Sequence, residues 1–265
     1  MASARRPGFS LLRILLVVLV AAGCCAATAV AATSDEVGRV DELRLADAGT
    51  AGRLAPLTAP RRPRPAHRIV SVRPGAGVTL RSAPHGAALK RVGARTEFGS
   101  PAAYSVVKRR GRWLGVTTAA RPNGRLAWVD GKSGALRRSA TRLTIRVDLS
   151  GRRIELRRGD KVLQRGVASI GRPGAPTPTG RFAVTDKLRG DRFGPYYGCC
   201  ILALSGTQPN PPQGWRGGNR VAIHGTPNPA TLGNADSAGC VHASTKTLQT
   251  LMHRVPVGTP VFIQS

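Results

Sequence analysis

Alternating apolar and polar positions mark the second half of this chain as β-rich. Every second position from Leu143 to Leu149 is apolar, which is the period of a strand buried on one face. Similar short runs continue to residue 163 with turn residues between them, so the sequence predicts a β-meander. Short strands separated by turn pairs also recur through residues 67–139, a spacing typical of a small β-barrel. The predicted fold class is therefore mainly β.

One helix is predicted near the C-terminal end of the chain. Apolar residues recur there at helical spacing, at Leu248, Leu251, Met252 and Val255. Ser244 is well placed to cap the helix at its N-terminus, and Pro256 would end it. The same prediction puts Cys240 in the turn just before the helix, where the positive end of the helix dipole would help to stabilise a thiolate if it points towards the sulfur.

The N-terminal segment has the composition of an export signal. Arg5, Arg6 and Arg13 precede an uncharged stretch over residues 14–34, an order typical of signal peptides. We therefore predict a leader over residues 1–32 and a Pro-rich linker over residues 33–66. Cleavage, retention as a membrane anchor and lipid attachment at Cys24 stay open as alternatives. Each of them places the rest of the chain outside the cytoplasm, at the cell wall or the membrane.

The formal net charge of +28 at pH 7 indicates an anionic partner. A surface of this charge is attracted to polyanions in general. Nucleic acid, anionic cell-wall polymers and lipid headgroups all qualify on charge alone. The predicted export signal disfavours nucleic acid, so the expected partners are anionic wall polymers or a membrane surface.

The cysteines limit the disulfide options of the folded region. Cys199, Cys200 and Cys240 lie outside the predicted leader and linker, and three cysteines cannot all pair with one another. We expect the adjacent residues Cys199 and Cys200 to be unpaired small side chains on opposite faces of a strand, with a bridge between them as the minor option. An unpaired thiol in an exported protein is a candidate reactive group, and Cys240 is the cysteine with a motif around it.

His224 and Cys240 form the candidate catalytic pair. They lie sixteen positions apart, and the segment between them is rich in Pro, Gly, Asn and Asp, which predicts a loop. An imidazole that accepts the thiol proton leaves the stronger nucleophile. Gly239 lets a substrate carbonyl approach the backbone, where the amides of Gly239 and Cys240 could hold an oxyanion. From spacing alone, a packing role for both residues is equally consistent.

The sequence around His224 and Cys240 resembles that of a known family. The relevant segments are Ile223-His224-Gly225-Thr226, Ser237-Ala238-Gly239-Cys240, Thr177-Pro178-Thr179-Gly180-Arg181-Phe182 and Val257-Gly258-Thr259-Pro260-Val261. Together they resemble the signature of the L,D-transpeptidases, whose catalytic domain is of the YkuD type. The resemblance covers residues 142–265 and implies a β-rich catalytic domain. Two positions depart from the family pattern, which often has His at Ala238 and commonly Arg or Asn at His242.

The resemblance also implies roles for individual residues. In the family a backbone carbonyl beside the histidine orients the ring, which here would be that of Gly225. Ser237 and His242 match family positions near the substrate. The polar and aromatic stretch from Asp191 to Tyr197 could form a flap over the site, with Tyr197 as the predicted substrate contact. Separately, the sequences around Trp113 and Trp128 in residues 67–139 resemble bacterial SH3-like wall-binding modules.

The implied substrate class is the stem peptide of peptidoglycan. The implied reaction is acyl transfer through a cysteine thioester, which forms 3→3 cross-links without a cofactor or a metal. One alternative is hydrolysis of the same thioester, an L,D-carboxypeptidase activity. Another is a non-catalytic wall-binding protein in which zinc is ligated by His224, Cys240, His242 and either Cys199 or Cys200.

Overall fold

Two β-sheets and one α-helix make up the described part of the chain. The computed structural model describes residues 66–211 and 218–265. The predicted leader, residues 1–32, and nearly all of the predicted linker lie outside these residues. The strands of the first sheet are β1 (His67–Val72), β2 (Gly77–Arg81), β3 (Ala88–Gly93), β4 (Ala103–Arg110), β5 (Trp113–Val116), β6 (Ala127–Asp130) and β7 (Leu136–Thr141). Those of the second are β8 (Leu143–Asp148), β9 (Arg153–Arg158), β10 (Lys161–Gly171), β11 (Gly180–Arg189), β12 (Cys200–Thr207), β13 (Arg220–His224), β14 (Ala235–Ser237), β15 (Val241–Ala243) and β16 (Pro260–Gln264).

The first sheet is antiparallel throughout. Its strand order is β3-β2-β6-β5-β4-β1-β7. Alternation along β1 and β2 points Val70, Val72, Val78 and Leu80 into a shared apolar core. The mainly β class is thus confirmed, while the SH3-like identity of residues 67–139 stays a prediction.

The second sheet closes on itself. Its order is β14-β10-β15-β13-β12-β11-β16-β8-β9, and β9 also pairs with β10. This last pairing closes the strands from β10 to β9 into a barrel-like ring, with β14 paired to the outside of β10. The predicted β-meander is confirmed, because β8, β9 and β10 pair antiparallel in sequence order. Apolar side chains from the ring fill its interior, with Ile145, Leu156, Leu202 and Ile223 nearly inaccessible to solvent.

The one α-helix in the described residues, α1 (Thr245–Arg254), follows the prediction closely. The Ser244 side chain caps it by accepting a hydrogen bond from the Thr247 amide. Leu248 and Leu251 are buried in the core of the second sheet. However, β15 lies between Cys240 and the helix. The expectation that Cys240 lies in the turn just before the helix is therefore wrong.

Side chains join the two sheets at several points. The Asn123 side chain accepts from the Thr207 amide at 2.9 Å and donates to the Thr207 carbonyl at 2.6 Å. Arg220 on β13 forms an ion pair of 2.6 Å with Glu97, which precedes β4. The described residues accordingly belong to one compact unit. The division into a module over residues 67–139 and a domain over residues 142–265 stays a prediction. Among the described residues, no helix has the length and apolarity needed to cross a membrane.

Candidate active site

Two neighbouring parallel strands bring His224 and Cys240 together. Strand β13 ends at His224, and its partner β15 begins one residue after Cys240. The register pairs Ile223 with Val241 and His224 with His242. Since side chains alternate along a strand, His224 and His242 share a face. His224 and Cys240 both line a cavity of roughly 60 Å³, which we call the Cys240 cavity.

The neighbouring carbonyl fixes the orientation and tautomer of the His224 ring. Nδ1 lies 2.7 Å from the Gly225 carbonyl oxygen. A carbonyl only accepts, so Nδ1 carries the proton and Nε2 presents its lone pair. This contact has the geometry that the resemblance implied for Gly225. Asp236, the acidic residue closest in sequence, is exposed on β14 and is not the partner of this ring.

Burial keeps the His224 imidazole neutral. The side chain is 1% exposed, and its ring centroid lies 4.6 Å from that of His242. Loss of solvent, with a smaller contribution from His242, lowers the pKa of His224 to about 3. The hydrogen bond to Gly225 acts in the opposite direction and is the weaker effect. The ring therefore has an available lone pair at every pH near neutrality.

A close backbone contact holds the segment that follows His224. The Gly225 amide donates to the Tyr197 carbonyl at 2.9 Å. A Cβ added to Gly225 would lie 2.8 Å from the Cα of Gly198, which is closer than real Cβ atoms approach a neighbour. Only glycine fits at this contact.

Two tyrosines from the predicted flap pack against the histidines. The segment forms two short 3₁₀-helices, Gly190–Phe193 and Pro195–Tyr197. The ring centroids of Tyr196 and Tyr197 lie 5.6 Å and 4.9 Å from that of His224. Tyr196 also lies 6.1 Å from His242. Burial raises the pKa of both tyrosines, so both hydroxyls stay protonated. A substrate contact by Tyr197 stays a prediction.

Cys240 is a neutral thiol in this arrangement. It is the free cysteine among the described residues. Burial raises the pKa of its thiol to about 11, and a backbone hydrogen bond from Ala222 offsets only part of this effect. The resting site thus holds a neutral thiol beside a neutral imidazole. The thiolate that we expected from the histidine and the helix dipole is not the resting form.

Hydrogen bonds inside the turn fix the cysteine backbone. The Ser237 hydroxyl donates to the Cys240 carbonyl at 2.6 Å and accepts from the Gly239 amide at 3.1 Å. The Gly239 amide is therefore occupied, and an oxyanion would have to displace Ser237 to reach it. The hydroxyl of Ser237 is likewise committed to the turn, and its predicted contact with substrate stays a prediction.

Gln208 is a site residue that sequence reasoning missed. Its amide nitrogen donates to the carbonyls of Pro176 at 2.9 Å and Ala238 at 3.2 Å. A Cβ added to Gly239 would lie 2.0 Å from that nitrogen, and Gly239 has a φ of 111°. Gln208 thus ties the turn of the cysteine to the loop before β11. A single glutamine at the end of a strand has no local pattern that could have revealed this role.

His242 carries two buried nitrogens without a partner. The side chain is 5% exposed, and neither ring nitrogen has a hydrogen-bond partner among the described residues. Burial lowers the pKa of His242, and Asp236 opposes this to a smaller extent. Buried polar groups in folded proteins are nearly always paired. Its predicted role in substrate binding stays a prediction, and the orphaned nitrogens support it.

Cys199 and Cys200 form a disulfide with each other. The expectation of two unpaired side chains on opposite faces of a strand is wrong. Cys199 lies in the turn before β12 and only Cys200 belongs to the strand, so the alternation of a strand does not separate them. The zinc alternative loses these two ligands, because disulfide sulfurs are not thiolates. Within residues 66–211 and 218–265, no group of three or more His, Cys, Asp or Glu residues is arranged to hold a metal.

Several solved structures with detectable similarity are L,D-transpeptidases. An L,D-transpeptidase from Mycobacterium smegmatis is 19% identical, with coverage of 76% of this chain and 100% of that one and a TM-score of 0.40. L,D-transpeptidase 3 from Mycobacterium tuberculosis, solved with a faropenem-derived adduct, is 17% identical over 53% of this chain and 73% of that one, also with a TM-score of 0.40. At these scores the likeness carries no conclusion about this chain.

Sequence comparison gives a firmer result. The YkuD protein of Bacillus subtilis, whose own assignment as an L,D-transpeptidase is provisional, is 31% identical over 121 residues. The match covers 45% of this chain and 64% of that protein. The YkuD protein of Bacillus licheniformis matches with the same identity and coverage. The YkuD family, described as the L,D-transpeptidase catalytic domain, matches residues 142–263. The matched region, which contains His224 and Cys240, is thus similar in sequence to the L,D-transpeptidase catalytic domain.

Proposed function

We propose that this protein is a peptidoglycan L,D-transpeptidase that forms 3→3 cross-links between stem peptides through a thioester on Cys240. One observation carries the proposal. A free thiol and an imidazole with an unprotonated Nε2 line the same cavity on adjacent strands of the region that is similar to the YkuD family. These are the nucleophile and the base that acyl transfer requires.

In the first step, the Cys240 sulfur attacks the carbonyl between the third and fourth residues of a donor tetrapeptide. Nε2 of His224 accepts the thiol proton as the carbon–sulfur bond forms. Because His224 and Cys240 are both neutral at rest, proton transfer accompanies the attack and does not precede it. The same nitrogen then donates the proton to the departing amine of D-alanine, which leaves a thioester.

In the second step, a side-chain amine of another stem peptide attacks the thioester. His224 accepts a proton from this amine, and the cysteine leaves as a thiol when the proton returns to sulfur. Water in place of the amine would give a shortened stem instead of a cross-link. The proposal includes export, as the residues 1–32 indicate, and attraction to anionic wall polymers or a membrane surface through the excess of basic residues.

Incubation of the full chain with disaccharide-tetrapeptide, followed by mass spectrometry, tests the proposal. We expect a dimer formed with loss of one D-alanine. The Cys240→Ala and His224→Ala variants should form none. His253→Ala is the matched control, because His253 is an exposed histidine on α1, and it should keep full activity.

Other products would change the assignment. Tripeptide without dimer would make the protein an L,D-carboxypeptidase. Turnover that survives in Cys240→Ala would exclude the thioester. Covalent addition of a carbapenem gives an independent readout, since the family resemblance implies acylation by these compounds. Its mass adduct should be absent in Cys240→Ala and in His224→Ala and present in His253→Ala.

A further inference from the structure

A cavity lies between the two sheets. It has a volume of roughly 560 Å³. Its lining includes Lys90 and Arg91 on β3, Arg95 and Glu97 between β3 and β4, and Thr185 and Arg220 on the second sheet. We call it the inter-sheet cleft. Pockets for ligands in proteins have volumes of about 300–1,000 Å³. The Cys240 cavity, at roughly 60 Å³, is too small to hold a stem peptide on its own.

The inter-sheet cleft adjoins the Cys240 cavity. Asn219 and Arg220 line both cavities. The Arg220 guanidinium is fixed there by Glu97 at 2.6 Å, by the Thr185 hydroxyl at 2.7 Å and by the Leu204 carbonyl at 2.9 Å. A residue held in this way forms a rigid boundary shared by the two spaces. A ligand in the cleft can therefore extend towards the thiol.

The first-sheet wall of the cleft has an uncompensated positive charge. Glu97 is already paired with Arg220. Arg95 donates one hydrogen bond, to the Gly99 carbonyl. Lys90 and Arg91 are exposed on β3, and their side chains have no hydrogen bond or ion pair among the described residues. Basic residues are abundant on this protein, but these two line a concave surface that leads to the thiol.

We propose that the inter-sheet cleft binds a carboxylate-bearing peptide whose reacting bond lies at Cys240. Under the proposed function, on which this inference rests, that peptide is the stem peptide of peptidoglycan. Lys90 and Arg91 provide the cations for its free carboxylates, and Arg220 separates the anchored part from the reacting part. The first sheet is then part of the substrate site in addition to any role in wall attachment.

A pair of matched double variants tests this assignment. Lys90→Ser/Arg91→Ser removes the two free cations of the cleft. Arg137→Ser/Arg142→Ser removes the same charge from exposed positions that line neither the inter-sheet cleft nor the Cys240 cavity. Affinity for disaccharide-tetrapeptide is measured by calorimetry on the full chain carrying Cys240→Ala. The rate of acylation by a carbapenem is measured with Cys240 intact.

The cleft variant should bind the peptide about tenfold more weakly, because two ion pairs of the kind seen near protein surfaces are lost. The control should change affinity less than twofold. Carbapenem acylation should be equal in all proteins with Cys240 intact, because this ligand carries no stem peptide that would extend from Cys240 to Lys90 and Arg91. Equal peptide affinity in the two double variants would overturn the proposal. The cleft variant could bind the peptide more weakly than the control while the unmutated protein forms no cross-linked product. In that case the cleft is a peptide site and the proposed transpeptidase function is wrong.

Inorganic polyphosphate is the second probe, because phosphate polymers share the anionic chemistry of carboxylates. If the cleft is a peptide site, Lys90→Ser/Arg91→Ser should weaken binding of the peptide more than binding of polyphosphate. Polyphosphate binding that is lost only in Lys90→Ser/Arg91→Ser, with peptide affinity unchanged, would make the cleft a phosphate site and overturn the assignment.

Discussion

Lowering the pH from 7 to 4 should cost the folded protein about 3 kcal/mol of stability through His224 alone. In the unfolded chain this imidazole has an ordinary pKa of 6.5, whereas in the folded protein its pKa is about 3. Below pH 6.5 the unfolded state therefore binds a proton that the folded state does not. The contribution of His224 to stability is fully present above its pKa in the unfolded chain. It is lost as the pH falls towards the pKa of His224 in the folded protein.

The size of the effect follows from the difference in pKa. A shift from 6.5 to about 3 is equivalent to about 5 kcal/mol if the pH is low enough to protonate both states. At pH 4 most of this contribution to stability has already been lost. His242 adds to the slope, because burial lowers its pKa as well. Tyr196 and Tyr197 do not titrate in this range, because their pKa values are raised.

Urea denaturation of the full chain at pH 7, 6, 5 and 4, followed by tryptophan fluorescence, measures this slope. The His224→Asn variant has no group that titrates at residue 224, so its unfolding free energy should fall by about 3 kcal/mol less than that of the wild type over this interval. His253→Asn, at an exposed position on α1, should behave as the wild type does. Parallel pH profiles for the wild type and His224→Asn would refute the idea that burial holds this ring neutral.

Two further predictions concern the cysteine and its turn. Alkylation of Cys240 by iodoacetamide at pH 7 should be about a hundredfold slower than that of a thiol with the ordinary pKa of 9.0, because its pKa is about 11; a rate that is fast and constant from pH 6 to 9 would contradict a neutral resting thiol. Gly239→Ala should lose about 3 kcal/mol of stability and most activity, since its φ is 111° and the new Cβ would lie 2.0 Å from the Gln208 amide nitrogen. Gly134→Ala, which meets nothing within 4 Å, is the control, and equal melting temperatures for the two variants would contradict the prediction.

Elements with a strong local pattern could be predicted from the sequence. Strand β8 alternates strictly, and α1 has both an apolar stripe and a serine cap. Strand β3 could not be predicted, because all but one of its residues are exposed and it has no apolar alternation. Strand β15 has three residues, too few for any period, and its omission led to the wrong position of Cys240 relative to the helix.

The chemistry of the site was predictable only as far as residue identity determines it. The pairing of His224 with Cys240 follows from the residue types and from the sequence motifs around them. The neutral state of both groups depends on burial by neighbours distant in sequence, which no local pattern encodes. The Cys199–Cys200 bridge depends on where β12 begins, and the role of Gln208 depends on contacts with residues about 30 positions away on either side. Each of these features arises from tertiary structure.

The contact between Gly198 and Gly225 has a consequence for how this sequence can vary. A Cβ on Gly198 would lie 2.9 Å from the Cα of Gly225, and a Cβ on Gly225 would lie 2.8 Å from the Cα of Gly198. Each residue is blocked by main-chain atoms, which every amino acid shares, so no replacement at one position can compensate for a change at the other. If either glycine is replaced, no substitution at the other position can therefore restore the contact. A library randomised at both positions and selected for function should return glycine at both.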